Sequence, residues 1–176
     1  MDIHARFSTF LMALVTCIGP APGQSAAPAQ EQKPSFTMTI RLKQKTVKPG
    51  SEVSVDVDMT NTSSKEVQIL LSRRGLTPYT FQVLDGTGKV APVTPVGRAI
   101  VKGDDVVRDE KGNMRLLTGG GSMVPLAPGR TLHDTFVVTG YHDLSQPGEY
   151  TIRLQRTDPA TKLIVTSNTV TLIVAN

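Results

Sequence analysis

The sequence lacks tryptophan altogether, and its 176 residues include one cysteine and few aromatic side chains, which make up 5% of the chain. The single cysteine, Cys17, lies in an apolar stretch near the N-terminus, so a domain that begins after it contains no disulfide, and packing must stabilise it. Proteins that bind carbohydrates use flat aromatic rings as stacking platforms. The scarcity of such rings therefore argues against a carbohydrate-binding protein.

Histidine is also scarce, which limits the enzyme classes that the chain can belong to. Nucleophilic catalysis needs a base beside a serine or cysteine, and after the N-terminal stretch the chain offers only His133 and His142. We predict that His133 lies exposed on a sheet face. We also predict that Asp143 accepts backbone hydrogen bonds in its turn rather than a hydrogen bond from His142. Neither a Gly-x-Ser-x-Gly elbow nor a His-Glu-x-x-His helix occurs in the sequence. The chain is therefore predicted not to be an enzyme and to need no cofactor.

Charge is modest and spread along the chain, with a formal net charge of +4. Nucleic-acid-binding proteins concentrate basic residues on one face, whereas here they are scattered from Lys33 to Lys162. The acidic residues between Asp104 and Glu110 carry the oxygen ligands that calcium prefers. Their spacing matches no calcium loop, however, and neighbouring cations neutralise them. We predict neither nucleic-acid binding nor a metal site.

The N-terminal segment, residues 1–27, is predicted to be a cleaved secretory signal peptide. Arg6 precedes the apolar stretch Phe7–Ile18, and a helix-breaking Gly-Pro pair and small residues follow. The apolar stretch is shorter than the ~20 residues that a membrane span needs. Leu14-Val15-Thr16-Cys17 resembles in part the lipid-attachment box of bacterial lipoproteins, although Thr16 stands where a small residue is expected. We expect a protein of the periplasm or the extracellular space, with lipid anchoring at Cys17 as the less favoured alternative.

A flexible leader over residues 28–35, which contains two prolines and two glutamines, is predicted to join the signal to one domain over residues 36–176. A domain of this length buries roughly two thirds of the surface that its unfolded chain exposes. It is predicted to be monomeric and to contain no transmembrane segment.

Pro-Gly pairs followed by alternating apolar and polar residues predict the fold. The pairs are Pro49-Gly50, Pro128-Gly129 and Pro147-Gly148, and each combines the φ preferences of a tight turn. Alternation predicts strands over 36–43, 53–60, 67–71, 79–83, 132–138, 150–154 and 170–174. With no sustained helical periodicity, we expect helix to be nearly absent and the fold to be all-β, an immunoglobulin-like antiparallel β-sandwich in Greek-key order. Tyr150, just after a corner, is expected to bond its hydroxyl to the backbone.

One long segment, residues 104–122, breaks this alternation. We predict a long irregular hairpin insertion whose turn lies at Asp109–Asn113, followed by the glycine run Gly119–Gly121 as a hinge. Long irregular connections on a rigid sandwich are where binding residues tend to lie. The predicted binding residues are therefore arginines of two long loops, residues 72–78 and 104–122, and two tyrosines that are not expected in the core: Arg73, Arg74, Tyr79, Arg108, Arg115 and Tyr141.

Two segments carry a family resemblance: Asn61-Thr62-Ser63-Ser64-Lys65-Glu66-Val67 and Tyr79 to Val90. Both resemble the bacterial BsuPI-type proteinase inhibitors. Leu126-Ala127-Pro128-Gly129 and Pro147-Gly148-Glu149-Tyr150-Thr151 fit the same pattern, so the resemblance covers roughly residues 52–154. The chain lacks the tryptophan-containing segment expected after Gly88-Lys89 and adds a strand near Ser167–Leu172. The resemblance implies an immunoglobulin-like fold and proteinase inhibition, but no inhibitory residue transfers.

The function predicted from these observations is an exported, non-catalytic binding module that contacts a protein partner in the envelope or outside the cell through its loops. Two alternatives stay open. One is a BsuPI-like proteinase inhibitor, and the other is a structural accessory domain of an envelope complex.

Overall fold

The structure is a computed structural model that describes residues 32–72, 78–104, 106–108, 112, 114–117 and 121–176. The predicted signal peptide lies outside these residues. The strands are β1 (Phe36–Leu42), β2 (Thr46–Val47), β3 (Ser54–Asn61), β4 (Val67–Ser72), β5 (Thr80–Asp85), β6 (Val106–Arg108), β7 (Met114–Leu116), β8 (Gly121–Leu126), β9 (Thr131–Val137), β10 (Gly148–Thr157), β11 (Ile164–Thr166) and β12 (Val170–Val174). One α-helix, α1 (Pro95–Lys102), and one 3-10 helix, Val138–Gly140, complete the described elements.

The first sheet contains β1, β3 and β9 in that order, with both pairs antiparallel. In β3 the alternation of the sequence becomes an alternation of burial: Val55, Val57 and Met59 are fully buried, and the polar residues between them lie on the outer face. Successive side chains of a strand point to opposite faces of its sheet. The hydrophobic pattern therefore sets the register of β3 between its two neighbours.

The second sheet is built around β10. One edge of β10 pairs with β5, and the other pairs first with β12 and then with β11, all antiparallel. The short strand β2 runs parallel to β12 and extends this sheet by one strand. Strands β1, β3 and β9 thus form one sheet, and β5, β10 and β12 are the main strands of the other, which is the arrangement of an immunoglobulin-type sandwich. The predicted all-β sandwich is confirmed, with the parallel β2–β12 pair as an addition.

The two sheets share one hydrophobic core, to which the inward-facing residues of both contribute. Phe36 and Ile152, for example, come from opposite sheets and are both fully buried. Tyr150 lies in this core, and its hydroxyl donates a hydrogen bond to the carbonyl oxygen of Gln146 at 2.9 Å. The predicted tie between this tyrosine and the corner that precedes it is confirmed.

Helix α1 was missed by the prediction that helix would be nearly absent. Its eight residues are too few for a 3.6-residue period to stand out, but its ends are well marked. The Thr94 side chain caps the N-terminus by accepting from the Gly97 N–H, and Gly103 ends the helix in the left-handed conformation. A Cβ atom at Gly97 would lie 2.4 Å from the Tyr141 carbonyl oxygen, so this close approach requires glycine.

The insertion between β5 and β9 comprises α1, the β6–β7 hairpin and β8. The hairpin pairs Arg108 with Met114, whereas most of the predicted turn, Asp109–Asn113, lies outside the described residues. Buried Ala99, Val107 and Leu117 form a small second core between α1 and the hairpin. Strand β8, which begins at Gly121 and pairs with β4, was not predicted. The long insertion thus contains regular structure and a hydrophobic core of its own.

Candidate functional site

Four of the predicted binding residues are arginines, and two of these lie on the β6–β7 hairpin. Arg108 is exposed, and its guanidinium donates to the Gly112 carbonyl oxygen at 3.2 Å. Arg115 lies on β7 opposite Val107, while its side chain falls outside the described residues. Arg73 and Arg74 also lie outside the described residues, so their predicted role stays a prediction.

Tyr79 is buried, so the prediction that its ring would be exposed is wrong. It is 4% exposed, and its hydroxyl donates to an Asp134 carboxylate oxygen at 2.8 Å. The guanidinium carbon of Arg156 lies 5.3 Å from the centre of the Tyr79 ring. Burial, and then the negative charge of Asp134, raise the pKa of Tyr79 well above its usual range. Tyr79 and buried Val83 are four residues apart, and residues an even number apart lie on the same face of a strand. This spacing indicated that Tyr79 faces the core.

Tyr141 is half-buried, so it is not a free platform either. Its ring stacks on Phe136 with centroids 4.9 Å apart and meets Phe81 edge-on at 4.8 Å. Burial raises the pKa of the Tyr141 hydroxyl. Both predicted tyrosines therefore belong to an aromatic cluster that includes Phe81 and Phe136 and that packs in or against the main core.

His133 lies exposed on the outer face of the first sheet, as predicted. Its Nδ1 is 2.5 Å from the Asp58 carboxylate, which also binds the Arg41 guanidinium at 2.8 Å. Lys43 makes a similar cross-strand pair with Asp56 at 3.7 Å. Arg41 of β1 and Lys43, the residue after this strand, are therefore balanced by acids of β3, and exposed pairs of this kind contribute little to stability.

His142 lines a cleft of about 620 Å³ beside the N-terminus of α1. The histidine is buried, its Nδ1 lies 3.0 Å from the Ala91 carbonyl oxygen, and burial lowers its pKa. The neighbouring Asp143 accepts from the Ser145 N–H at 3.0 Å, as the turn predicted. Within the described part of the chain neither His142 nor His133 hydrogen-bonds to a serine hydroxyl. The cleft therefore holds no assembled nucleophile and base.

The surface feature that sequence reasoning missed is apolar. Val101 at the end of α1 is 84% exposed and Met114 at the start of β7 is 64% exposed, although both belong to the unit that carries the second core. Three cations whose side chains are described also lie exposed on this unit: Arg98, Lys102 and Arg108. We call these five residues the insertion surface. Apolar residues within a poorly periodic segment were the available signal, but sequence alone does not tell whether they are buried.

The described residues contain neither a metal-binding cluster nor a membrane-spanning helix. In those ranges no group of three or more His, Cys, Asp or Glu side chains is placed to hold a metal ion. Their helices are also too short or too polar to cross a membrane.

The fold and surface define an immunoglobulin-type β-sandwich with a structured insertion. Solved structures similar to it include Spo0M, the sporulation control protein of Bacillus subtilis, at 10% identity and a TM-score of 0.44 over 81% of this chain. A β-glucosidase from Listeria innocua, solved with isofagomine, matches 83% of this chain at 12% identity and a TM-score of 0.44. The chain spans about half of Spo0M, 50%, and 17% of the β-glucosidase.

A third similar structure is the CARDB domain of a Pyrococcus furiosus protein, solved in complex with di-metal ions. It matches 88% of this chain and 100% of its own length, at 14% identity and a TM-score of 0.41. No protein-family model matches the sequence, and no curated protein matches it.

Proposed function

We propose that this chain is an exported, non-catalytic binding module that holds a protein partner at the insertion surface. The observation that carries the proposal is the exposure of Val101 and Met114 on a unit that has a hydrophobic core of its own. Such a unit could bury both side chains by folding, yet it presents them to solvent. Exposed apolar groups rimmed by polar residues are typical of protein interaction sites.

The framework beneath this surface supports binding without a large rearrangement. Both ends of α1 are capped, and Gly97 lets the helix lie against the backbone near Tyr141. Packing of α1 on Val107 and Leu117 holds the hairpin against the helix. A surface held in this way loses little conformational entropy when a partner binds.

The test replaces both apolar residues by serine in one variant, Val101→Ser with Met114→Ser. Because the two side chains are exposed, we expect no loss of thermal stability, whereas affinity for a partner identified by crosslinking in the native envelope falls about ten-fold or more. The matched control is Val90→Ser with Met123→Ser, which removes a similar exposed valine and methionine outside the insertion surface. Affinity should be measured with purified proteins. Equal loss of affinity in the two variants would contradict the proposal.

The same purified proteins separate the alternatives. A BsuPI-like inhibitor, which the resemblance over residues 52–154 implies, would abolish proteinase activity when added at stoichiometric amounts. A structural accessory domain would instead co-purify with a fixed set of envelope proteins, and removing the insertion surface would release it from that set. A binding module that is neither would show saturable binding without an effect on proteinase activity.

Export is part of the proposal and rests on the pattern from Arg6 to Ala27. We expect the mature protein to begin between Gln24 and Gln30, because small residues follow the apolar stretch there. Intact mass of the natively expressed protein measures this directly. A mass that retains Met1, or that adds a diacylglyceryl group at Cys17, would contradict the cleaved, lipid-free form.

A further inference from the structure

The cleft of about 620 Å³ beside the N-terminus of α1 is polar, and the insertion surface uses only one of its side chains, Arg98. Its walls come from three parts of the chain: the turn after β2, the start of α1 with the residues before it, and the 3-10 helix with the residues that follow it. Its volume falls within the range of about 300 to 1,000 Å³ that is typical of small-molecule sites.

Hydrogen bonds hold two walls of the cleft together. The segment before α1 pairs antiparallel with the segment after the 3-10 helix, in a bridge between Val93 and His142. Thr94, which caps α1, donates its N–H to the Tyr141 carbonyl at 2.9 Å and its hydroxyl to the Gly140 carbonyl at 2.9 Å. These bonds fix the start of α1 relative to His142. A cleft held in this way loses little conformational entropy when a ligand binds.

His142 presents one ring nitrogen to the cleft. The side chain is 4% exposed, and its ring meets Phe81 edge-on with centroids 5.4 Å apart. Its Nδ1 lies 3.0 Å from the Ala91 carbonyl oxygen, which only accepts, so Nδ1 carries the proton and Nε2 of the neutral ring is an acceptor. Burial lowers the pKa of His142, which keeps the ring neutral at neutral pH. Among the described residues Nε2 has no hydrogen-bond partner, and it is not one of the buried atoms that solvent cannot reach.

Two opposite charges also line the cleft without pairing with each other. Arg98 is exposed, and its guanidinium donates to the Val93 carbonyl oxygen at 2.5 Å, which leaves further donors for a ligand. Asp143 is exposed too, and hydrogen bonds from Ser145 lower the pKa of its carboxyl, so it is ionised at neutral pH. No ion pair between described residues includes either side chain. The cleft thus has a positive pole at α1 and a negative pole at Asp143.

We propose that this cleft binds a small zwitterion, either a free α-amino acid or a short peptide. Its carboxylate accepts from Arg98, and its ammonium donates to the Asp143 carboxylate and to Nε2 of His142. An ammonium suits these two partners because both accept and neither donates. Charge-assisted hydrogen bonds of this kind are stronger than neutral ones. The ligand's side chain lies against Pro92 and Val93, which favours an apolar residue.

The probe is L-leucine, added to the full-length protein at neutral pH. Isothermal titration calorimetry gives the affinity, while NMR follows the backbone amides of Thr94 and Asp143 and the Nε2 resonance of His142. We expect saturable binding that shifts these resonances. L-leucinamide lacks the carboxylate and N-acetyl-L-leucine lacks the ammonium, so each should bind at least about ten-fold more weakly.

Two variants test the poles from the protein side. Arg98→Gln removes the positive charge, and Asp143→Asn removes the negative one but keeps an oxygen that accepts from the Ser145 N–H. Each should weaken the binding of L-leucine about ten-fold. The matched control is Asp85→Asn, since Asp85 accepts from the Thr87 N–H at 2.8 Å in a similar turn outside the cleft, and it should leave the affinity unchanged. Thermal melts of each variant confirm that it is folded.

Pairing each variant with the ligand that lacks the matching charge assigns the two poles. Arg98→Gln should not weaken L-leucinamide further, and Asp143→Asn should not weaken N-acetyl-L-leucine further, because the interaction concerned is already absent. Further weakening in both pairs would contradict this assignment. The dipeptide L-leucyl-L-leucine separates the two sources of the ligand: tighter binding than L-leucine indicates a short peptide, and weaker binding indicates a free amino acid.

Equal affinities for L-leucine and its two single-charge analogues would overturn the zwitterion site. The absence of heat and of shifts with both L-leucine and the dipeptide at millimolar concentration would overturn it as well. The variant with Val101→Ser and Met114→Ser should bind L-leucine normally, and Asp143→Asn should keep its affinity for the protein partner. Failure of the insertion surface and failure of the cleft are thereby distinguishable.

Discussion

Replacing Arg156 by alanine should lower the free energy of unfolding by about 3 to 5 kcal/mol. The side chain is 5% exposed, and its guanidinium donates to the Leu70 carbonyl oxygen at 2.5 Å and lies 3.5 Å from the Met59 sulfur. Burial lowers the pKa of Arg156, while Tyr79 and Asp134 oppose that shift. Alanine would leave the Leu70 carbonyl without this donor and open a cavity between the sheets. Denaturant melts measure the loss.

The matched control is Arg153→Ala on the same strand. Arg153 lies on the opposite face of β10, where it donates to the Gln82 side chain at 2.8 Å in an exposed setting, so its loss should cost less than about 1 kcal/mol. Arg156→Met fills most of the same volume without the charge and should cost less than Arg156→Ala, because the buried charge itself opposes folding. Equal costs for Arg153→Ala and Arg156→Ala would contradict a structural role for the buried guanidinium.

Tyr150→Ala should also lower the free energy of unfolding by about 3 to 5 kcal/mol, since a large buried ring leaves a cavity. Tyr150→Phe keeps the ring and removes only the hydroxyl that donates to Gln146, so it should cost about 1 kcal/mol. The difference between the two variants separates packing from the hydrogen bond at the corner. Denaturant melts of both variants supply the measurement, and two near-neutral results would show that Tyr150 does not stabilise the core.

The strands of the sandwich were predictable because the sequence of a half-buried strand alternates between apolar residues, which face the core, and polar residues, which face solvent. Val55, Val57 and Met59 alternate with polar residues in the sequence as they alternate between core and solvent in the fold. The turns were predictable for a similar reason, since Pro128-Gly129 carries its backbone preference locally. Tyr150 was placed correctly because the corner before it is a local signal.

The candidate sites were less predictable, because exposure depends on what packs across from a residue. Tyr79 and Tyr141 were expected at the surface, but the first hydrogen-bonds to Asp134 and the second meets Phe81 edge-on, and both of these partners are distant in sequence. Val101 was one of several short apolar pieces in the insertion, and no periodicity marks it as exposed. Helix α1 was not predicted because it is too short to show a helical period in the sequence.

By itself the sequence determined the class of fold and the positions of most strands and turns, because alternation and turn chemistry are local properties, whereas export stays a prediction. Only the tertiary structure decided which distant residues meet. The Asn168 side chain hydrogen-bonds to both backbone groups of Ile40, and Asp158 accepts from the Ser35 N–H, across more than a hundred residues of chain. Such contacts follow from the packing of two sheets against each other, and local sequence does not encode which surfaces that packing leaves uncovered.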